Sequence, residues 1–251
     1  MTIVGSQLRR QTMRLLALDS SGLVASVALV VDDTVIAEYT TNFKKTHSQT
    51  LLPMLDEIVK MTEMELSELD AIALAAGPGS FTGLRIGAAT AKGLGLALNK
   101  PIVSVPTVDA LAYNLYGTKG IICPIMDARR SQVYTGLYEY VNNEFTVIEQ
   151  QKVVTIDELL EEIIATGKEV IFLGDGVDVH RDKIKEALGD KASFAPAHVA
   201  RQRAGAVAML GAKYYAEGKM ETASEHAPEY LRVSQAEREL AERQQAEKVN
   251  Q

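Results

Sequence analysis

The stretch Asp70-Ala71-Ile72-Ala73-Leu74-Ala75-Ala76-Gly77-Pro78-Gly79-Ser80-Phe81-Thr82-Gly83-Leu84-Arg85-Ile86-Gly87 decides how this chain is read. After its opening Asp70, the stretch Asp70–Ala76 is apolar, as a strand buried on both faces must be, and Gly77-Pro78-Gly79-Ser80 is a turn. From Thr82 to Leu98 the residues are small or apolar at helical spacing, and Asn99-Lys100-Pro101 ends the run. A strand, a glycine-rich turn and a helix in that order are the unit of an α/β protein. Along the helix Gly83, Gly87, Ala91 and Gly95 recur every fourth position. Four residues advance about 400° around a helix, so the row drifts slowly and stays on neighbouring faces. It permits close approach of another backbone, either a helix or a sheet.

The same alternation extends to both sides. Upstream, Arg14–Asp19, Val24–Val31 and Thr34–Phe43 read as three strands, and Ser48–Met61 as an amphipathic helix with Leu51, Met54, Leu55 and Ile58 on one stripe. Pro53 is expected near that helix's first turn, where a missing N–H costs little. Downstream, Pro101–Val105 is a strand and Thr107–Leu115 a helix. After Lys119 the pattern starts again, with strands at Ile121–Asp127, Gln132–Tyr140, Glu144–Val154 and Glu169–Leu173, and helices at Ile156–Ala165, Asp182–Leu188 and Ala204–Glu217. This predicts two α/β lobes, 13–117 and 118–217. Residues 1–12 are set aside as an extension and 218–251 as a partly polar, mobile tail.

Composition narrows the function. The one cysteine, Cys123, has no disulfide partner, and no run of about eighteen apolar residues spans a bilayer. A cytoplasmic protein is expected. A net charge of −7, with no basic run longer than two residues, argues against strong independent nucleic-acid binding. The four histidines are too scattered for a metal motif, and no nucleophilic triad is evident.

Two turns invite a nucleotide. Asp19-Ser20-Ser21-Gly22 follows a buried strand, and its hydroxyls and N–H groups suit an anion, although an Asx turn closing a hairpin uses the same residues. Gly77 and Gly79 precede a helix N-terminus, and Gly174 and Gly176 form a further glycine turn in the second half, but the Lys-Ser/Thr pair of a Walker loop is absent.

The segments Leu15–Ser21, His47-Ser48-Gln49-Thr50-Leu51-Leu52-Pro53 and Gly77–Gly87, with Val103–Thr107 and Met126-Asp127-Ala128-Arg129-Arg130, together resemble the TsaB family over about residues 13–233. The resemblance implies a two-lobed actin-like ATPase and sugar-kinase fold. It also implies an inactive paralogue of TsaD, the subunit that transfers threonylcarbamoyl to adenosine 37 of tRNA. Where TsaD carries its metal-binding His-x-x-x-His pair, this chain has Thr107 and Leu111, so neither a metal nor a cofactor of its own is expected, any nucleotide belonging to the complex. What is implied instead is a scaffold that binds TsaD and, through it, the ATPase TsaE, and that forms a homodimer when isolated. The surface implied consists of Leu51, Met54, Leu55 and Ile58 with Gly83, Leu84, Ile86, Gly87, Thr90, Ala91, Leu94 and Gly95. The same residues equally suit packing against their own sheet. A small kinase or ATPase using Asp19, Ser20, Ser21 and the glycine turns is the competing reading.

Overall fold

The computed structural model describes residues 12–232. The extension and most of the polar tail expected from the sequence lie outside them.

The first sheet has the order β3-β2-β1-β4-β5, from β1 (Arg14–Asp19), β2 (Ala25–Val31), β3 (Thr34–Thr41), β4 (Ala71–Gly77) and β5 (Ile102–Pro106). The second is built of β6 (Ile121–Asp127), β7 (Gln132–Val141), β8 (Glu144–Thr155), β9 (Val170–Leu173) and β10 (Ala192–Phe194), in the order β10-β9-β6-β7-β8. Read in reverse, it repeats the first: an antiparallel three-strand meander, then two parallel strands. This duplicated sheet, with helices on its faces, makes two α/β lobes, as expected from the sequence.

Strand β1 shows why the first sheet must be covered twice. Leu16 and Leu18 point to one core with Ile72 and Leu74, while Leu15 and Ala17 point to the other with Ala71, Ala73 and Ala75. The first face is covered by α1 (His47–Thr62) and α2 (Phe81–Leu98). The second is covered by α6 (Ala204–Ala216), whose Ala204, Val207, Ala208 and Leu210 are buried against it. In the second lobe α4 (Ile156–Thr166) and α5 (Gly176–Leu188) cover one face. The other face meets α3 (Thr107–Tyr113), which sits between the lobes. There Tyr138 donates to Asp109 Oδ1 at 2.7 Å and Tyr214 donates to Oδ2 at 3.4 Å.

Two boundaries need correction. A C-terminal lobe of 118–217 is not what the packing shows, because α6 returns to the first sheet: Ala204 N–H donates to Ser26 Oγ, 178 positions away in sequence. Nor is 218–232 a loose tail, since Glu221 bridges Ile102 at the edge of β5 in both directions. Helix α5 begins at Gly176, a turn and a half before the predicted Asp182. Pro53 lies in the second turn of α1, on its exposed side, where the carbonyl it leaves unpaired meets water.

Candidate functional site

The turns singled out in the sequence converge. Ser21, Gly79, Asp127 and Asp175 line one cleft of about 1240 Å³ between the lobes. Asp19 ends β1 and Asp127 ends β6, so the duplication places one aspartate from each lobe beside it.

Hydrogen bonding at these turns is nearly closed. Asp19 Oδ1 accepts the Ser21 N–H at 2.9 Å and the Ser21 hydroxyl at 2.6 Å, which is an Asx turn. Burial pushes the Asp19 carboxyl up to about 6, against the lowering effect of Ser21 and then His47. Ser20 Oγ donates to Gly83 O, and Ser80 N–H donates to Ser21 O at 2.6 Å. Gly77 N–H donates to Thr107 Oγ1 at 3.1 Å, so Thr107 holds the turn in place. Gly77 has φ +129, and a Cβ there would lie 2.1 Å from Glu229 O. Gly174 repeats this in the second lobe, with φ +99 and a Cβ 2.1 Å from Ile125 O, and Gly176 packs on the same carbonyl. Asp175 accepts Asp127 N–H at 3.1 Å, and burial raises its carboxyl.

The expected partner surface is largely spent inside the molecule. Leu51, Met54, Leu55 and Ile58 are buried in the first lobe's own core, where the sheet covers them, and Leu84 is buried as well. The row of small residues also faces inward. A Cβ on Gly83 would lie 2.1 Å from Ser20 O, and one on Gly87 2.4 Å from Ser20 Oγ. Ala91 is fully buried, and a Cβ on Gly95 would meet Ala223 Cβ at 2.8 Å. These residues let α2 lie close against the Asp19 turn and β5, so as a partner surface they are corrected. Ile86, Thr90 and Leu94 remain partly accessible.

The outward face of α2 carries Ala89, Gly93, Leu96 and Ala97, all exposed, beside Ile86 and Thr90. Its charged neighbours are Arg85, over the Phe81 ring at 4.0 Å, and Lys92, which bends to the carbonyls of Ser224 and His226. On α1, Leu52 and Met61 are exposed. A Cβ at Gly93 would meet nothing within 4 Å.

Other clusters are structural in form. Ser104, His226 and Glu221 meet, but both the hydroxyl (3.0 Å) and the carboxylate (2.8 Å) approach the same ring nitrogen, Nδ1. A relay needs the two ring nitrogens to face opposite ways. His47 Nε2 lies 2.9 Å from Gly22 O. Among the described residues no group of three or more His, Cys, Asp or Glu is placed to hold a metal, and no helix is long and apolar enough to cross a membrane. Sequence reasoning missed Phe43, Lys44, Lys45, Glu229, Tyr230 and Arg232, all of which line the cleft.

Comparison with known proteins agrees with this geometry. Residues 34–240 match the family model for TsaD, tRNA N6-adenosine threonylcarbamoyltransferase. The tRNA threonylcarbamoyladenosine biosynthesis protein TsaB of Bacillus subtilis (strain 168) is 38% identical over 92% of this chain and 100% of its own length. The protein of that name from Escherichia coli (strain K12) is 33% identical over 91% of this chain and 98% of its own. Among solved structures, an uncharacterized Pseudomonas aeruginosa protein with similarity to peptidase YEAZ superposes with a TM-score of 0.76 at 28% identity, covering 88% of this chain and 100% of that one. YeaZ from the same organism gives 0.69 at 26%, covering 87% and 100%. With its duplicated sheet and its glycine turn, the chain belongs to the TsaB family of tRNA threonylcarbamoyladenosine biosynthesis proteins.

Proposed function

We propose that this chain is a non-catalytic scaffold of tRNA threonylcarbamoyladenosine synthesis, docking a TsaD-like catalytic subunit through the outer face of α2 and the adjoining side of α1. Through that subunit it supports the TsaE-like ATPase. The isolated chain pairs with a second copy by the same face, and it acts in the cytoplasm.

Gly93 carries the reading. Glycine inside a helix costs about 1 kcal/mol relative to alanine. The inward glycines of α2 have a steric reason within the molecule, whereas around Gly93 there is open space. Exposed Leu96 on the same helix, with Leu52 and Met61 exposed on α1, suits a covered surface. Close approach by another chain's helix would give Gly93 the reason the monomer lacks.

The turns support the non-catalytic half of the proposal. A phosphate needs free N–H groups, and those of Ser21, Gly77 and Ser80 already donate to acceptors within the protein. Asp19 Oδ1 is held by its own turn, and Glu229 brings a carboxylate to the cleft. In this proposal the chain holds no nucleotide of its own, and any nucleotide is held by the partner subunits.

The test is co-purification with the TsaD-like and TsaE-like subunits of one organism, followed by an assay of modified tRNA with each subunit omitted in turn. Intact chain and Gly93→Ala are compared with Gly93→Leu. The proposal expects Gly93→Leu to remain folded while losing both the partner and the modification. Undiminished association by Gly93→Leu rejects the docking face. Magnesium-dependent ATP binding by the isolated chain, abolished in Asp19→Ala, would favour the kinase-like reading.

A further inference from the structure

The segment after α6 runs along the first lobe and then crosses to the second. Glu221 pairs with Ile102, Lys92 Nζ holds the carbonyls of Ser224 (3.1 Å) and His226 (2.7 Å), and Glu229 N–H donates to Ala76 O at 2.7 Å. Tyr230 packs on Phe81 with ring centroids 4.6 Å apart, and its hydroxyl accepts from Arg85 Nε at 3.3 Å. All these anchors belong to the first lobe.

Two further contacts reach the second lobe. Gln151 of β8 donates to Glu229 Oε2 at 3.0 Å, and the Arg232 guanidinium donates to the carbonyl of Ala128, just beyond β6. Glu229, Tyr230, Leu231 and Arg232 all line the cleft. Elsewhere the lobes also meet on the α3 side, through the Asp109–Tyr138 bond, the ring of Phe145 against Tyr113, and Asn114 Nδ2, which donates to the carbonyls of Val199 and Arg201. We propose that Glu229–Arg232 is a latch that ties the lobes together across the cleft and fixes its width.

The proposal is geometric and does not depend on the partner reading. Its first-lobe anchors are many and its second-lobe anchors few, so the grip should release on the second-lobe side. Nothing about the latch requires a ligand.

Leu23 and Val179 are exposed residues lining the cleft from opposite lobes, and spin labels on cysteines placed there report its width. The native Cys123 is buried and does not compete for label. Labelled full-length chain is diluted into excess unlabelled chain, so that only distances within one chain are read. A single narrow distribution is expected for the intact chain and for Tyr230→Phe combined with Arg232→Lys. Tyr230→Ala combined with Arg232→Ala should shift the distribution to longer distances and broaden it. Gln151→Ala and Arg232→Ala, each of which removes one second-lobe anchor and leaves the first-lobe core intact, should do the same in smaller measure if the double variant fails to fold. A folded variant whose distribution superimposes on the intact one overturns the latch, as does a broad distribution in the intact chain.

Discussion

The two sides of α2 use the same residue types for different ends. Inward, Gly83, Gly87, Ala91 and Gly95 let the helix lie against the Asp19 turn and β5, and added bulk would strike Ser20 or Ala223. Outward, Ala89, Gly93 and Ala97 are equally small, four apart and exposed, and Gly93 has no neighbour to spare. A small residue is therefore informative only when what it would touch is known. The inner row is explained by the fold, and the outer row has no such explanation within the chain.

The sharpest way to break this contrast is Gly87→Leu. Its side chain would enter space held by Ser20 Oγ and Leu74, so a loss of about 3 kcal/mol or more is expected, read as a collapse of the denaturant midpoint. A folded Gly87→Leu chain of ordinary stability would show that the inner face is not tightly packed.

Asp19→Asn probes the turn that the inner face touches. The folded carboxyl titrates near 6 against 3.8 unfolded, so the folded state binds more protons between those values and stability falls as pH rises through that window. Above it the penalty is constant and at most about 3 kcal/mol. Asparagine keeps an oxygen for the Ser21 N–H. The variant should melt higher than the parent at pH 7.5, with the advantage gone near pH 4. Equal gains at both pH values would mean that the burial of Asp19 is not the cause.

On the outer face Gly93→Ala should raise monomer stability by about 1 kcal/mol, or several degrees in melting temperature, since nothing obstructs the methyl group. Destabilisation would show a neighbour that the monomer does not contain. The smallest effect concerns Cys123, whose thiol burial pushes up to about 12. It should stay unreactive to thiol reagents at pH 8 in the folded chain and react once denaturant is added.

The legible and illegible parts of the sequence differ for a physical reason. Strand alternation, the glycine turns and the restart after Lys119 are local signals, and they yielded both sheets with nearly all their strands. Spacing also revealed the row from Gly83 to Gly95, but a period gives a row without saying which way it points. The stripe Leu51, Met54, Leu55 and Ile58 looks the same whether a sheet or a partner covers it. Gly93, sitting off that row, was the available signal for the outer face. The return of α6 to the first sheet and the crossing by Glu229–Arg232 depend on contacts from 78 to 178 positions apart, which no local window contains.

That return has a consequence for synthesis. The N-terminal lobe is made first, yet one face of its sheet waits bare until Ala204–Ala216 has left the ribosome. At about 5–20 residues per second, the apolar strip of Leu15, Ala73 and Val105 stays uncovered for some seconds while the intervening lobe is produced. Nascent chains halted near residue 200 should therefore attract chaperones that the finished protein never meets.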